Sequence, residues 1–267
     1  MKLRPLPSDS FYSIRNTKFL FLKKIALIPA RYAATRFPGK LMQQLNGQSV
    51  ILTTYRSTVN TGLFDDVAVV CDSQIIYDEI TSNGGKAIMS QMEHECGTDR
   101  IAEALPHFPD AEIIVNVQGD EPFTQAEPMA KLLQVFDGEE GRDIGVASLM
   151  QILKNEDSIQ DANYVKVAVD LKMNALFFSR SVIPYPRDKK VSTVYYEHIG
   201  IYAFRRKTLI DFTQMPMSPL ESAEKIECLR YLENGIRMKM VVTDYMGVEI
   251  DTPEDLIKAE KWIRESR

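Results

Sequence analysis

Short apolar runs alternate with helical patterns in the first half of the chain. The runs at 25–28, 67–70 and 113–115 are almost continuously apolar, which is typical of strands covered on both faces of a parallel sheet. Strands are predicted at 24–30, 66–72, 86–90 and 112–120. Helices are predicted near 49–60, 73–82, 98–106 and 124–137. The alternation of strands and helices predicts an α/β fold with a doubly wound, mostly parallel sheet.

The second half of the chain has strand patterns with less helix between them. These strands are predicted at 165–170, 175–180, 198–204 and 239–243. One long helix is predicted over 218–235, because Ser218, Pro219 and Glu221 form a helix start of the capping-box type. Its apolar positions form one stripe, made of Leu220, Ala223, Ile226, Leu229 and Leu232.

Composition and charge narrow the class of protein. The chain has 267 residues, 45% of them hydrophobic, which is enough for a sizeable core. Its formal net charge of −5 argues against a nucleic-acid binder, and no apolar run reaches the roughly 20 residues that a membrane helix needs. The 3 cysteines lie far apart, so neither a disulfide framework nor a zinc site is expected. A reducing cytoplasm fits this pattern best.

Residues 1–24 differ from the rest of the chain. They contain 6 Lys or Arg and 1 Asp, so the remaining residues carry a formal net charge of −10. The longest apolar run in this segment, "FLFL", is shorter than the core of a secretory signal. We interpret 1–24 as a basic N-terminal tail, with a transit peptide as the alternative.

Three cations follow the first predicted strand, in the stretch "PARYAATRFPGK" at 29–40. Neither GxxxxGK[ST] nor GxGxxG occurs in the chain, so the loop matches no standard phosphate-binding motif. Arg31, Arg36 and Lys40 instead supply positive charge directly, which suits a triphosphate with its metal. The alternative is that these cations pair with surface carboxylates.

Two aspartates are candidate metal ligands because each is expected to follow a strand. Asp120 ends "NVQGD", and Asp251 precedes the helix start formed by Thr252, Pro253 and Asp255. Ligands of open α/β sheets bind at the carboxyl ends of the strands, and magnesium accepts one or two protein carboxylates. Turn chemistry at Gly119-Asp120 is the alternative for the first site. Together with the cationic loop, the two aspartates indicate metal-assisted phosphoryl or nucleotidyl transfer.

Six segments resemble one known family in their order and spacing. They are "IPARYAATRFPGK", "HECGTDRIAEA", "VNVQGDEP", "ALFFSRSVIPY", "EHIGIYAF" and "VEIDTPEDL". Over about 24–263 the chain closely resembles the 3-deoxy-manno-octulosonate cytidylyltransferases, the CMP-Kdo synthetases of Gram-negative bacteria. The resemblance implies that CTP and 3-deoxy-D-manno-octulosonate (Kdo) react to CMP-Kdo and pyrophosphate, which activates Kdo for lipopolysaccharide synthesis. It also implies a magnesium cofactor and a cytoplasmic homodimer.

The resemblance further implies a fold and a division of the chain. The fold is that of the nucleotide-diphospho-sugar transferases, with a smaller mixed region for sugar binding and dimerisation. A single cytidylyltransferase domain would span 25–267. Its nucleotide-binding part would cover about 25–145, its sugar-binding and dimerisation part about 146–240, and a returning strand and helix with a metal ligand about 241–267.

Residue roles carry over motif by motif from the family. The catalytic set is Arg31, Arg36, Lys40 and Asp120. The nucleotide-binding set is Pro29, Ala30, Arg31, Thr35, Arg36, Lys40, Asp72, Cys96, Gly97, Thr98, Arg100, Gln118 and Asp120. The sugar-binding set is Arg180, His198, Tyr202 and Glu227, and the metal ligands are Asp120 and Asp251. From the residues alone, His198 is more typical of a hydrogen-bonded strand position than of a binding site, and a solvated helix face is the alternative for Glu227.

Two positions depart from the usual family pattern. Cys96 stands where Ser is usual, and Cys228 where Gln is common. Because a missing polar partner can change substrate choice, an 8-amino relative of Kdo or a sialic acid is the alternative substrate. A catalytically inactive nucleotide-sugar sensor is the alternative outside enzymes, and the presence of Asp120 and Asp251 argues against it.

Overall fold

The computed structural model describes residues 22–33, 37–94, 96–188, 190–244 and 247–265. The predicted tail at 1–24 lies outside this part of the chain, except for its last three residues. The predicted site residues Thr35 and Arg36 also lie outside it.

A nine-stranded sheet forms the centre of the molecule in the described residues. Its strands are β1 (Lys24–Ala30), β4 (Asp66–Cys71), β5 (Ala87–Met89), β6 (Ile113–Asn116), β7 (Val146–Leu153), β8 (Lys166–Val169), β9 (Ala175–Ser179), β10 (Tyr195–Arg205) and β11 (Met238–Val242). A small hairpin is formed by β2 (Gln44–Leu45) and β3 (Gln48–Ser49). The helices are α1 (Val50–Asn60), α2 (Gln74–Ser82), α3 (Gly97–Glu103), α4 (Ala126–Gln134), α5 (Glu156–Gln160), α6 (Arg206–Thr213), α7 (Pro219–Glu224), α8 (Leu229–Glu233) and α9 (Pro253–Glu265).

The sheet is mostly parallel, as the sequence predicts. Its strand order is β11-β7-β10-β6-β1-β4-β5, with β10 antiparallel to both of its neighbours on this path. The pairs β1–β4, β1–β6, β4–β5 and β7–β11 are parallel. An antiparallel extension, β8 and β9, pairs with the first part of β10. The parts of the chain predicted to bind nucleotide and sugar therefore share one sheet.

Helices cover both faces of this sheet, which explains the continuous apolar runs. In β1, Ala26 and Ile28 pack towards α1, α2, α4 and α9, whereas Ile25 and Leu27 pack towards α3, α6 and α8. All four side chains are fully buried. The doubly wound arrangement predicted from the apolar runs is confirmed. No helix in the described part of the chain is both long and apolar enough to cross a membrane.

The single helix predicted over 218–235 is wrong, because the chain breaks after α7. Lys225 has a left-handed backbone with φ of 56°, and α8 then folds back. The buried carboxylate of Glu221 accepts from Arg230 Nε at 2.7 Å and Nη2 at 2.6 Å. In a straight helix, residues nine apart lie on opposite faces, so this buried ion pair requires the break. Glu227 consequently lies in the turn between α7 and α8 rather than on a helix face.

Two further differences concern strands. The sequence analysis did not predict β7, and the strand predicted at 112–120 ends at Asn116. The strand predicted at 239–243 is present as β11, which ends at Val242, and Asp251 follows it in a segment that belongs to no strand or helix.

Candidate active site

A cavity of about 340 Å³ opens at the carboxyl ends of β1 and β6. Its lining includes most of the residues predicted to bind nucleotide, and both predicted metal ligands. These residues are Pro29, Ala30, Arg31, Lys40, Cys96, Gly97, Arg100, Gln118, Asp120 and Asp251. Phe37, Leu41, His94 and Gly119 also line it, and the sequence analysis assigned none of these four to the site.

One end of the cavity is defined by an ion-paired cluster. Lys40 lies in a short 3-10 helix directly after Gly39, whose φ of 66° favours glycine. The ammonium group of Lys40 contacts the carboxylate of Asp120 and lies 2.7 Å from Asp251 Oδ1. Burial alone would lower the pKa of Lys40, but the two carboxylates outweigh it and raise the pKa. Lys40 therefore remains cationic at this end of the cavity.

A backbone hydrogen bond brings the two aspartates together. The N–H of Ile250 donates to the carbonyl oxygen of Asp120 at 3.0 Å, which joins the irregular segment before α9 to the loop after β6. Ligand oxygens of Asp120, Glu249 and Asp251 then lie within 4.8 Å of one another. An all-oxygen donor set of this kind suits magnesium.

Glu249 was missed by the sequence analysis, although it stands two positions before Asp251 in "EID". Burial and the neighbouring carboxylates, first among them that of Asp120, raise the pKa of Glu249 to about 8. Burial followed by the charge of Asp120 also raises the pKa of Glu121 to about 7. The crowding of negative charge shows that this end of the cavity favours cations.

Asp72 lies behind the cavity and connects two parts of its wall. Its Oδ1 accepts from the backbone N–H of Tyr32 at 3.0 Å, and its Oδ2 accepts from Arg100 Nη2 at 3.1 Å. These bonds tie the segment that carries Arg31 to α3. Asp72 is not among the described residues that line the cavity.

The opposite end of the cavity is formed by the start of α3. A Cβ atom on Gly97 would lie 3.0 Å from Pro29 Cγ, so glycine allows the helix start to pack directly on the end of β1. Cys96 occupies the N-cap position, but its side chain makes no capping hydrogen bond. Its Sγ lies 3.2 Å from Asp99 Oδ2 instead. Thr98, two positions after Cys96, is buried and contacts Glu227.

His198, Tyr202 and Glu227 come together as the sequence analysis predicts. The rings of His198 and Tyr202 have centroids 5.4 Å apart, and both side chains lie on β10. Tyr202 shares a hydrogen bond with Cys228, the neighbour of Glu227. Burial raises the pKa of Glu227, although hydrogen bonds from Thr98 and Cys96 act in the opposite direction. Cys228 itself is fully buried, so the Gln-to-Cys departure changes a packing position.

Arg180 lies beside this group, against α7. Its backbone N–H donates to Glu224 Oε2 at 3.0 Å, its Nε to the Glu224 carbonyl oxygen at 2.8 Å and its Nη1 to the Ala162 carbonyl oxygen at 3.0 Å. Glu224 precedes Glu227 by three positions. Arg180 thus fixes the end of α7, which precedes the turn that carries Glu227.

His198 is a neutral side chain in this structure, because burial lowers its pKa to about 3. Its Nε2 lies 3.0 Å from Ser148 Oγ, which also lies 2.9 Å from each of the carbonyl oxygens of Ile199 and Ile201. A hydroxyl has one hydrogen and both carbonyls only accept, so we assign the Nε2–H of His198 as the donor to Ser148. The Nδ1 atom of His198 is then an acceptor.

The cavity and the strand that carries His198 and Tyr202 meet at Gln118. Its Nε2 donates to the carbonyl oxygen of Gly200 at 3.2 Å, where the register between β10 and β7 shifts. The site thus has a charged end around Lys40 and a second end at the start of α3. A polar group on β10 adjoins it.

Comparison with known proteins agrees with this geometry. A family model described as "Cytidylyltransferase" matches residues 25–240. The 3-deoxy-manno-octulosonate cytidylyltransferase of Flavobacterium johnsoniae is 58% identical over 91% of this chain and 100% of its own length. The chain belongs to the 3-deoxy-manno-octulosonate cytidylyltransferase family. It is accordingly a nucleotidyltransferase enzyme.

A further member of this cytidylyltransferase family and two solved structures are also similar to this chain. The Christiangramia forsetii enzyme is 56% identical over 89% of this chain and 95% of its own length. A solved CMP:2-keto-3-deoxy-manno-octonic acid synthetase complexed with CTP superposes with a TM-score of 0.86 at 34% identity, covering 92% of this chain and 100% of that one. A solved 4-diphosphocytidyl-2C-methyl-D-erythritol synthase from Anaerococcus prevotii shares the fold. It is 18% identical to this chain and superposes with a TM-score of 0.60, covering 91% of this chain and 99% of that one.

Proposed function

We propose that the protein transfers the cytidylyl group of CTP to the anomeric 2-hydroxyl of Kdo. A bond forms between the Kdo oxygen and the α-phosphorus of CTP, and the bond from that phosphorus to the β-phosphate oxygen breaks. The products are CMP-Kdo and pyrophosphate. The observation that carries this proposal is the convergence of Lys40, Asp120 and Asp251 at one end of a cavity whose other end is the start of α3.

The charged end of the cavity suits the triphosphate. Arg31 is exposed and lines the cavity, and Lys40 lies beside the two aspartates. Cations in these places offset the charge of the phosphates and of the departing pyrophosphate. We assign phosphate binding to Arg31 and Lys40, and keep the same role as a prediction for Arg36 and Thr35.

We propose magnesium as the cofactor, held by Asp120 and Asp251 with Glu249 beside them. The closely spaced carboxylate oxygens and the raised pKa of Glu249 support this assignment. When bound, the ion would polarise phosphate oxygens and neutralise their charge. The chain's own contribution is to hold these carboxylates together through the hydrogen bond from Ile250 to Asp120.

The start of α3 is proposed to bind cytosine. Gly97 offers its main chain to the cavity, Cys96 lines the cavity wall and Thr98 fixes the helix start from behind. Arg100 lines the same wall and is held by Asp72, which thereby acts as a support for the nucleotide site.

The group formed by His198, Tyr202 and Glu227 is proposed to bind Kdo, with Arg180 fixing its position. The Gln118–Gly200 hydrogen bond supports this assignment, because it joins the strand of this group to the nucleotide cavity. The neutral His198 and its acceptor Nδ1 suit the hydroxyl groups of a sugar acid.

We also propose a homodimer and a cytoplasmic location. Large apolar side chains are exposed on and beyond the β8–β9 extension, namely Leu171, Leu176, Tyr185, Val191 and Val194. Association of two copies would cover such a surface. All three cysteines are free thiols, as expected in a reducing compartment. Light scattering coupled to size exclusion tests the dimer.

Pyrophosphate release is the experiment that tests the function. The purified protein is mixed with magnesium and CTP, and Kdo, 8-amino-Kdo or N-acetylneuraminate is added separately. We expect release with Kdo. The Asp110→Asn variant, altered at an exposed turn position, is the matched control for Asp120→Asn and should retain full activity.

The other outcomes are equally informative. Release only with 8-amino-Kdo or N-acetylneuraminate would keep the reaction and change the substrate. A folded protein that binds CTP but releases no pyrophosphate with any of the three acids would contradict the proposed reaction and favour a nucleotide-sugar sensor.

A further inference from the structure

Glu103, at the end of α3, accepts three hydrogen bonds from one short segment. The donors are Ser90 Oγ at 2.6 Å, the backbone N–H of Gln91 at 2.7 Å and His94 Nε2 at 2.6 Å. All three donors lie in the stretch that leaves β5 and leads towards Cys96. No role in the reaction has been assigned above to Glu103 or to His94.

The hydrogen bonds to Glu103 hold the segment before α3 against the end of that helix. Cys96 and Gly97 begin α3 and line the cavity, whereas Glu103 ends α3 and holds the preceding segment. His94 contacts Glu103 and also lines the cavity. One ring of His94 therefore reaches from Glu103 to the wall that is proposed to receive cytosine.

The charge of Glu103 determines which ring nitrogen of His94 carries hydrogen. Burial alone would raise the pKa of Glu103, but the hydrogen bonds from His94, Ser90 and Gln91 outweigh it and lower the pKa. An ionised carboxylate only accepts, so the Nε2–H of His94 donates to Glu103. In the neutral imidazole the Nδ1 atom is then an acceptor.

We propose that Glu103 is a positioning residue for base selection, which holds His94 with its Nδ1 as an acceptor at the base end of the cavity. An acceptor there favours a base with an amino group. Cytosine has a 4-amino donor, whereas uracil presents a carbonyl oxygen at the same position. The inference rests on the proposed use of CTP, and it assigns part of the preference for CTP over UTP to Glu103 and His94.

The Glu103→Gln variant tests the proposal. A Gln amide has the shape of the carboxylate but can donate to His94 Nε2, which favours the Nδ1–H tautomer and removes the acceptor. We expect the ratio of kcat/KM for CTP to that for UTP to fall about tenfold, as for the loss of one hydrogen bond, through a higher KM for CTP. The KM for Kdo should not change.

Ser90→Ala is the matched control, because it removes a bond to the same carboxylate without touching His94. This variant should loosen the segment that leads from β5 to Cys96. It should leave the ratio of kcat/KM for CTP to that for UTP unchanged. If Ser90→Ala lowers the ratio as much as Glu103→Gln does, Glu103 only fastens the segment and the proposal is overturned. If Glu103→Gln does not fold, His94→Phe keeps a ring without an acceptor and should show the same loss of base preference; an unchanged ratio there overturns the proposal.

Nitrogen NMR of the imidazoles gives a readout that is independent of turnover. The chain has 3 histidines, and the His94→Phe spectrum identifies the signal of His94. We expect the Nε2–H tautomer in the wild-type protein and the Nδ1–H tautomer in Glu103→Gln. A wild-type His94 with hydrogen on Nδ1 would overturn the proposal. Failure of the wild-type protein to form CMP-Kdo would instead contradict the proposed function and leave this measurement valid.

Discussion

The hydroxyl of Thr98 donates to the buried carboxylate of Glu227, which joins the first turn of α3 to the turn between α7 and α8. This bond connects the wall proposed for cytosine to the group proposed for Kdo. Glu227 is partly buried, and burial raises the pKa of its carboxylate, which the hydrogen bond from Thr98 opposes. This side-chain pair therefore links the two halves of the site, in addition to the Gln118–Gly200 hydrogen bond.

Thr98→Val should weaken both halves of the site. Valine has the shape of threonine without the hydroxyl, and leaving a buried carboxylate short of a partner costs about 1–3 kcal/mol. We expect the free energy of unfolding in urea to fall by this amount and the KM values for CTP and Kdo to rise together. Thr98→Ser keeps the hydroxyl and is the control. A KM change confined to one substrate would show that the pair does not couple the two halves.

Asp251→Asn should remove activity while the sheet stays folded. The carboxylate of Asp251 faces Lys40 and the carboxylate of Asp120, and an amide would bind a divalent cation far less strongly. We expect kcat to fall at least about a hundredfold and magnesium binding, followed by calorimetry, to weaken. Asp120→Asn should behave alike. Near-wild-type turnover with magnesium in either variant would contradict the metal assignment.

Cys96→Ser should stabilise the protein. Cys96 has the extended backbone of an N-cap, with φ of −135° and ψ of 166°, but no capping bond from its side chain. A serine oxygen can accept from the first free N–H groups of α3, which contributes about 1 kcal/mol. Urea denaturation measures the gain. The same substitution at Cys71, buried in β4, caps no helix and should destabilise; a loss of stability at both positions would show that the Cys96 thiol contacts outweigh capping.

His198 should make the protein less stable as the pH falls below the ordinary histidine range. Its pKa is about 3 in the folded state against an ordinary histidine value of 6.5, so between these values the unfolded chain binds a proton that the folded chain does not. Stability attributable to this side chain is therefore complete above pH 6.5 and is lost as the pH falls towards 3, by about 1 kcal/mol per pH unit.

The His198→Gln variant checks this pH dependence, because glutamine keeps a polar partner for Ser148 and does not titrate. Its free energy of unfolding should fall less steeply than that of the wild-type protein between pH 6.5 and pH 4.5. Parallel curves for the two proteins would show that His198 titrates normally in the folded state.

The sequence predicts those features that depend on local pattern. The apolar runs of β1, β4 and β6 identify strands buried on both faces, and the helix predicted near 73–82 is present as α2, with Ser73 as its N-cap. The strand β7 was missed. This strand carries the polar Ser148, whose burial is compensated by contacts with the carbonyl oxygens of Ile199 and Ile201. Both lie on β10, which is the neighbour of β7 in the sheet but is distant in sequence.

The features that the sequence did not predict depend on contacts between distant or folded-back segments. The break after α7 follows from the Glu221–Arg230 pair, which no helical pattern reveals. Glu249 joins the two aspartates because the segment before α9 returns to the loop after β6. The positions of Asp120 and Asp251 after predicted strands, and then the motif resemblance, made them candidates, but Glu103 became visible only through its contacts with His94 and Ser90.

The hydrogen bond from Ile250 to Asp120 also has a consequence for protein synthesis. A chain that stops after β11 would contain every strand of the described sheet but would lack Asp251. The same returning segment also completes the core, because Ile250 and Ala259 are fully buried in the cluster that covers one face of the sheet. A prematurely terminated chain would therefore lose the second proposed metal ligand and part of its core at the same time.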